Sequence, residues 1–243
     1  MNDHTNNTFT MEQLQEIGME YQKMEQQQKI DRYRILNEKI IKGQILFTGS
    51  SLMEQFPVNE LMMTERIDRI IYNRGIGGFT TADMLQNMDV QIFDPEPAKI
   101  FINIGTNDIS YPGAPFADVL AYMLKNYSDI LSQIKTRLPR TQVYMMAYYP
   151  VNETDIVNEW NAGAFVNRNN KNLPIANAAV KDLASQFGYQ YIDVNTGLTD
   201  ERGMLKKEFT IDGIHMYANG YRIVLEGSVK NFVALVKNGS FLV

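Results

Sequence analysis

Four short stretches carry the side chains and amides that could do chemistry: Gly49-Ser50-Ser51-Leu52, Asn73-Arg74-Gly75-Ile76-Gly77-Gly78, Gly105-Thr106-Asn107-Asp108 and Asp212-Gly213-Ile214-His215. A serine hydroxyl is a weak nucleophile near neutral pH and needs a base within hydrogen-bond reach. The chain has two histidines, and His4 lies in a polar leading tail, so His215 is the base that Ser51 would use. An imidazole in that role needs a carboxylate to hold its tautomer and stabilise the imidazolium. Asp212 stands three residues before His215, so one short segment can deliver both groups. A tetrahedral intermediate needs donors aimed at its oxyanion. The backbone amides of Ser51 and Gly78 and the side-chain amide of Asn107 can supply them, and a glycine lets the backbone approach without a Cβ in the way. Together these are the parts of acyl transfer by a serine nucleophile.

Taken singly, each stretch also has a purely structural reading. Ser51 could cap the following helix, Gly77 and Gly78 could serve a tight turn, and Asn107 or Asp108 could make an Asx turn. His215 could be a structural histidine, and Ser50 is a rival nucleophile beside Ser51. The glycine run lacks the third glycine of a dinucleotide fingerprint, having Thr80 there, and no Gly-Lys-Ser/Thr follows the first strand, which disfavours nucleotide binding. The Gly-x-Ser-x-Gly elbow is also missing, since Met53 stands at its last position. Fold alone does not give function, so a non-catalytic binding module is the alternative of a different class.

The elements that must position these groups follow from periodicity. Apolar residues recur at three and four from Met11 to about Lys42, predicting one long amphipathic helix or two, either packed outside the domain or serving as a dimerisation element. Short apolar runs at Gln44–Gly49, Arg69–Asn73, Lys99–Ile104, Thr141–Tyr149 and Tyr189–Val194 read as strands, the third nearly continuous in β-branched and aromatic residues as suits a strand buried on both faces. Helical patterns lie between them: Met53–Met63 broken at Pro57, Thr80 or Thr81 to about Ile92, Phe116 to about Leu138, and Pro174–Phe187 ended by Gly188. A last helix has core positions Tyr221, Val224, Leu225, Phe232, Leu235 and Val236. Alternating strands and helices predict a parallel sheet with helices on both faces, a doubly wound α/β sandwich. Such sheets place ligands at the carboxyl ends of their strands. Three of the four stretches follow strands and the fourth lies between the last strand and the last helix, so the fold brings all four to one edge. The stretch Val151–Leu173, crowded with asparagine and holding Trp160, follows a strand and is expected over that edge, where specificity would reside.

Composition sets bounds. At 243 residues one core suffices, and the division expected is an N-terminal helical extension over 1–43 and an α/β domain over 44–243. With 44% hydrophobic and 21% charged residues and no apolar run near the roughly 18 of a membrane span, a soluble chain without a membrane span is expected. A net charge of −5 gives no basic footprint for nucleic acid. The absence of cysteine removes disulfides, thiolate chemistry and Cys-based zinc sites, and no metal or organic cofactor is expected. Met1–Thr10 shows no basic segment leading into an apolar one, so a cytoplasmic location is expected.

The four stretches, in this order, resemble the SGNH or GDSL family of serine esterases and acylhydrolases. The first block resembles Phe47 to Leu52 with the nucleophile at Ser51, the second Asn73 to Thr80 with the oxyanion glycine at Gly78, the third Gly105 to Asp108 and the last Asp212 and His215. The resemblance spans about Ile45 to Tyr221 and leaves out the N-terminal helix. One departure stands in the first block, where the commonest sequence has Asp and this chain has Ser50. The resemblance implies a three-layer α/β/α sandwich on a five-stranded, flavodoxin-like parallel sheet. It also implies a serine ester hydrolase working through an acyl-enzyme, with Ser51, Asp212 and His215 catalytic. The oxyanion hole would be Ser51, Gly78 and Asn107. Its substrates are carbohydrate O-acetyl groups, short-chain esters, lysophospholipids and acyl thioesters. Without a long apolar lid, a short acyl group is preferred, on a small-molecule ester such as an acetylated carbohydrate, with homo-oligomerisation through the N-terminal helix as a further expectation.

Overall fold

The computed structural model describes residues 9–158 and 161–227. His4, Trp160, Phe232, Leu235 and Val236 fall outside that range. Five strands, β1 (Ile45–Gly49), β2 (Ile71–Asn73), β3 (Lys99–Asn103), β4 (Gln142–Met146) and β5 (Gln190–Ile192), form one parallel sheet in the order β2-β1-β3-β4-β5. The chain leaves β1 first toward β2 and then returns to its other side as β3, so the strand order reverses between β1 and β3. The carboxyl ends of those two strands are where an open α/β sheet binds ligands. The loop after β1 carries Ser51 and the loop after β3 carries Asn107.

Every residue of β1 and β3 is buried, which explains their unbroken apolar runs. In-register pairing puts Phe47, Phe101 and Tyr144 side by side on one face, stacked at centroid separations of 4.9 and 4.8 Å. That face is covered by α2 (Ser51–Glu54), α3 (Val58–Thr64) and α8 (Ala218–Gly227). Leu46, Ile100, Ile102, Val143 and Met145 point to the other face, under α4 (Thr81–Gln86), α6 (Phe116–Arg137) and α7 (Leu173–Phe187). A short helix α5 (Thr106–Ile109) follows β3. This is the expected three-layer sandwich on a five-stranded parallel sheet.

The boundaries shift where side chains compete for backbone groups. The helix expected to run to Ile92 ends at Gln86 and resumes as a π-helical turn over Asp89–Phe93. Asn87 Nδ2 donates to the Asp83 carbonyl, the acceptor its own N–H would use in a continuing helix. β4 stops at Met146 because Asn177 takes both polar groups of Tyr148, its Oδ1 accepting from the N–H and its Nδ2 donating to the carbonyl. The break at Pro57 and the left-handed Gly188 cap of α7 are where the sequence puts them.

The N-terminal residues form one helix, α1 (Met11–Asn37), opened by a capping box between Thr10 and Gln13. Its C-terminal half packs on the domain: Ile30 and Asn37 are buried, and Asn37 Nδ2 donates to the Val90 carbonyl while its Oδ1 accepts from Arg74 Nε. The Arg74 guanidinium lies over the rings of Tyr33 and Tyr72 at 4.9 and 5.5 Å. The N-terminal half exposes Met11, Leu14, Ile17, Tyr21 and Met24. Among the described residues no helix is long and apolar enough to cross a membrane.

The aromatic stack holds the central strands in register, so Phe101→Ala should cost about 3–5 kcal/mol. Urea unfolding checks this, and a loss under about 1.5 kcal/mol would show that the stack is dispensable.

Candidate active site

Gly49 ends β1 at φ +150°, and a Cβ there would collide with the Asn103 carbonyl of β3. Only glycine lets the two strand ends approach so closely. The chain then turns, and Ser50 and Ser51 face opposite ways. Ser50 is wholly buried and its Oγ has no hydrogen-bond partner among the described residues. Ser51, the first residue of α2, is partly exposed and its Oγ lies 2.8 Å from His215 Nε2.

His215 is fixed from its other side. The Asp212 carboxylate turns back on its own loop: Oδ1 accepts from the N–H groups of Ile214 (2.9 Å) and His215 (2.8 Å), and Oδ2 lies 2.6 Å from His215 Nδ1. Burial of Asp212 works to raise its pKa, but the ring and backbone hydrogen bonds from His215, with the Ile214 amide, outweigh it and hold the group at about 2. An ionised carboxylate on Nδ1 requires the proton there, which leaves Nε2 as an acceptor for the Ser51 hydroxyl. The turn is clamped in its own right by Thr210 Oγ1, which accepts from the Gly213 N–H and donates to the His215 carbonyl.

The second block wraps past Ser51. A methyl group on Gly77 would lie 3.7 Å from Ser51 Cβ, so this backbone adjoins the serine. Gly78 is left-handed (φ +77°), and among the described residues its N–H has no acceptor. Asn107, on α5, donates from Nδ2 to the Phe79 carbonyl at 2.9 Å. A primary amide carries two hydrogens, so one remains for a substrate oxygen. Asp108 is buried and accepts from the Thr81 N–H and hydroxyl, tying the third block to the start of α4. Burial raises its pKa against those two bonds. Asp108 is thus a structural clamp, while Ser51, Asp212 and His215 form one hydrogen-bonded relay.

Two contributors escaped sequence reasoning. Glu54, one turn after Ser51, accepts from the Gly77 N–H at 2.5 Å and pairs with Lys29 of α1 at 2.7 Å. Arg168 is 2% exposed, with Nε and Nη2 unpartnered among the described residues. Burial pushes its guanidinium down to about 10, with the Asp212 carboxylate pulling the other way, so it carries its charge behind the relay at neutral pH. Neither residue has a local sequence signal, because the charged or polar groups that each one faces lie far along the chain.

The asparagines of 151–173 mainly satisfy backbone. Asn170 exchanges two hydrogen bonds with Val151, Asn152 donates to the Leu205 carbonyl, and Asn161 donates to the carbonyl of Asp212. On the far side of Asn107 an apolar groove of about 650 Å³ is lined by Ala82, Tyr111, Pro112, Val119 and Tyr122, with Thr80 and Asn107 at its margin.

Residues 54–223 match the model of the GDSL-like Lipase/Acylhydrolase family, an interval that begins just after Ser51 and includes Gly78, Asn107, Asp212 and His215. Among curated proteins the chain is similar to an N-acylneuraminate cytidylyltransferase of Escherichia coli, 24% identical over 227 residues that cover 90% of this chain and 49% of that one. The chain thus spans about half the length of that relative. A solved structure from Streptococcus pneumoniae, provisionally described as a platelet activating factor, is 30% identical with a TM-score of 0.79, covering 92% of this chain and 100% of that one. A catalytic variant of an acetylxylan esterase from Geobacillus stearothermophilus is similar in fold, at 16% identity and a TM-score of 0.59 over 80% of this chain and 96% of that one. With the family match extending over most of its length, the chain belongs to the GDSL-like lipase/acylhydrolase family of ester hydrolases.

Proposed function

We propose that the chain hydrolyses esters through an acyl-enzyme on Ser51, with His215 as general base and acid, and Asp212 as the carboxylate that fixes its tautomer. The observation that carries this reading is the continuous relay from Ser51 Oγ to His215 Nε2 at 2.8 Å and from His215 Nδ1 to Asp212 Oδ2 at 2.6 Å. Ser51 Oγ attacks the ester carbonyl as its proton passes to Nε2. The oxyanion that forms is held by the N–H groups of Ser51 and Gly78 and by Asn107 Nδ2. Collapse expels the alcohol, which takes the proton from His215. Water, deprotonated by the same nitrogen, then releases the acid and restores the serine.

The acyl group is short. On the α1 side of the oxyanion loop the amide of Gln22 stands so close to Gly78 that it occupies the space a Cβ would need. The sequence carries no long apolar lid to cover an alkyl chain, and an amide at that margin suits a polar alcohol such as a sugar, so an acetylated carbohydrate fits both. A second reading, a longer acyl chain as in a lysophospholipid or thioester, is favoured by the apolar groove beyond Asn107. Rates on acetyl, butyryl and octanoyl esters beside an acetylated sugar separate the two: acetyl should be fastest, and a maximum at octanoyl would transfer the assignment to the groove.

Ser51→Ala should abolish turnover of p-nitrophenyl acetate, and a fluorophosphonate probe should label Ser51 in the unaltered protein and not the variant. Turnover that survives the substitution would exclude Ser51 as nucleophile.

Asn107→Ala should lower kcat by roughly 10² to 10³-fold, the effect of removing one oxyanion donor. A loss below threefold would take Asn107 out of that role.

Asp212 gives a prediction with a defined sign. Its folded pKa of about 2 lies below the ordinary aspartate value near 3.9, so its contribution to stability is present above the latter and disappears as pH falls through the former. The stability gap between the unaltered protein and Asp212→Asn, measured by urea unfolding, should therefore narrow from pH 7 to pH 3. A gap independent of pH would mean that the carboxylate is not held as described.

A further inference from the structure

We propose that α1 is a working part of the active site: Gln26, supported by the Lys29–Glu54 pair, sets the plane of the Gly77–Gly78 peptide and so aims the Gly78 N–H at the reacting oxygen. This rests on the reading of Gly78 as an oxyanion donor. Two consecutive glycines make the most conformationally free dipeptide available, and an oxyanion donor contributes only when it is already oriented. The orientation of this peptide therefore has to be imposed from outside the loop.

The structure supplies the restraint. The Gly77 carbonyl accepts from Gln26 Nε2 at 2.9 Å. In a planar trans peptide the carbonyl and the following N–H point in opposite directions, so this bond turns the Gly78 N–H away from α1. The peptide before it is held by Glu54 Oε2, which accepts from the Gly77 N–H, while Glu54 Oε1 is anchored by Lys29 Nζ. Tyr33 Oη donates to the Gly75 carbonyl at 2.9 Å, and Asn107 holds the Phe79 carbonyl. Both peptides flanking Gly77 are thus tied at fixed points, and the Gly78 N–H is left without a protein acceptor among the described residues. Gln22, Gln26, Lys29 and Tyr33 recur at four, three and four, which places them on one stripe of α1. Gln26 is a positioning residue, since its amide touches the loop carbonyl and not the reacting atoms.

Gln26→Met keeps the length of the side chain and removes the donor. It should lower kcat on p-nitrophenyl acetate about tenfold, less than deleting a donor outright because the Gly78 N–H remains but is misaimed. KM should stay within about twofold, the inflection of the pH–rate profile should not move, and the fluorophosphonate probe should still label Ser51 stoichiometrically. Gln26→Glu, which sets a carboxylate against the Gly77 carbonyl, should lose more. A Gln26→Met kcat within twofold of the unaltered enzyme overturns the proposal. So does a loss matched by an equal fall in labelled fraction, which indicates misfolding, or one confined to KM, which indicates substrate contact. If Ser51 is never labelled and Ser51→Ala stays active, the catalytic reading itself has failed. If those controls hold and Gln26→Met is silent, the role of α1 alone is lost.

Discussion

The hydrogen bond between Ser51 Oγ and His215 Nε2 joins residues 164 positions apart. Its net contribution to stability, on the order of 1 kcal/mol, is far too small to gather those segments. The sheet does that instead. Parallel pairing of β1 with β3 over five residues fixes the heights at which the two loops leave, and the close approach of Gly49 to Asn103 makes them leave side by side. The strand order turns back at this pair, so the crevice between the loops is not filled by a crossover helix. His215 then has to meet a serine whose position is already determined, and its loop achieves this locally: Asp212 spends one carboxylate oxygen on its own backbone and the other on the imidazole. The turn that orients the base is thus the same turn that selects its tautomer.

The opposite wall obeys the same accounting of backbone polar groups. The carbonyls of Gly75 and Gly77 accept from side chains of α1 and that of Phe79 from Asn107 of α5, while the Gly78 N–H has no acceptor among the described residues. Side chains suit this task better than secondary structure, because a strand or helix would pair every N–H in turn, that of Gly78 included. The cost is dependence on distant residues. Glu54 combines the two demands by standing one turn after Ser51 and reaching across to Gly77, so Ser51 and the Gly77–Gly78 loop cannot drift independently.

Much of this was legible in the sequence where the cause is local. The buried central strands declare themselves by unbroken apolar runs, Pro57 and Gly188 by backbone restriction, and the pair Thr80 and Thr81 as N-cap oxygens, of which the structure uses Thr80. The blocks around Ser51, Gly78, Asn107 and His215 were readable because their residue types have few common uses in that order. Long-range polar pairing was not readable. Nothing near Asn177 says that it will end β4 at Tyr148, and nothing near Gln26 names a glycine 51 residues away. Gln22, Gln26 and Lys29 were visible only as part of the Gln-rich, mixed-charge polar face of an amphipathic helix, and Tyr33 as one of its apolar positions. Periodicity assigns such a face to solvent, whereas here it meets backbone carbonyls that need donors.

Ser50 shows how geometry resolves what residue type alone leaves open. By chemistry it is as good a nucleophile as its neighbour, and it occupies the position at which the commonest form of the motif carries an aspartate. Alternation at the end of β1 turns its side chain inward, where it is wholly buried, and the adjacent backbone N–H is already bonded to the Asn103 carbonyl. A hydroxyl there is closed off from solvent and has no hydrogen-bond partner among the described residues. The side chain at that position therefore belongs to the packing beneath the turn, while Ser51, one step further and at the start of α2, has the histidine in front of it and an amide with no acceptor among the described residues. A single residue of register separates a packing hydroxyl from one poised for chemistry, which is why the glycine that sets that register cannot be replaced without moving both.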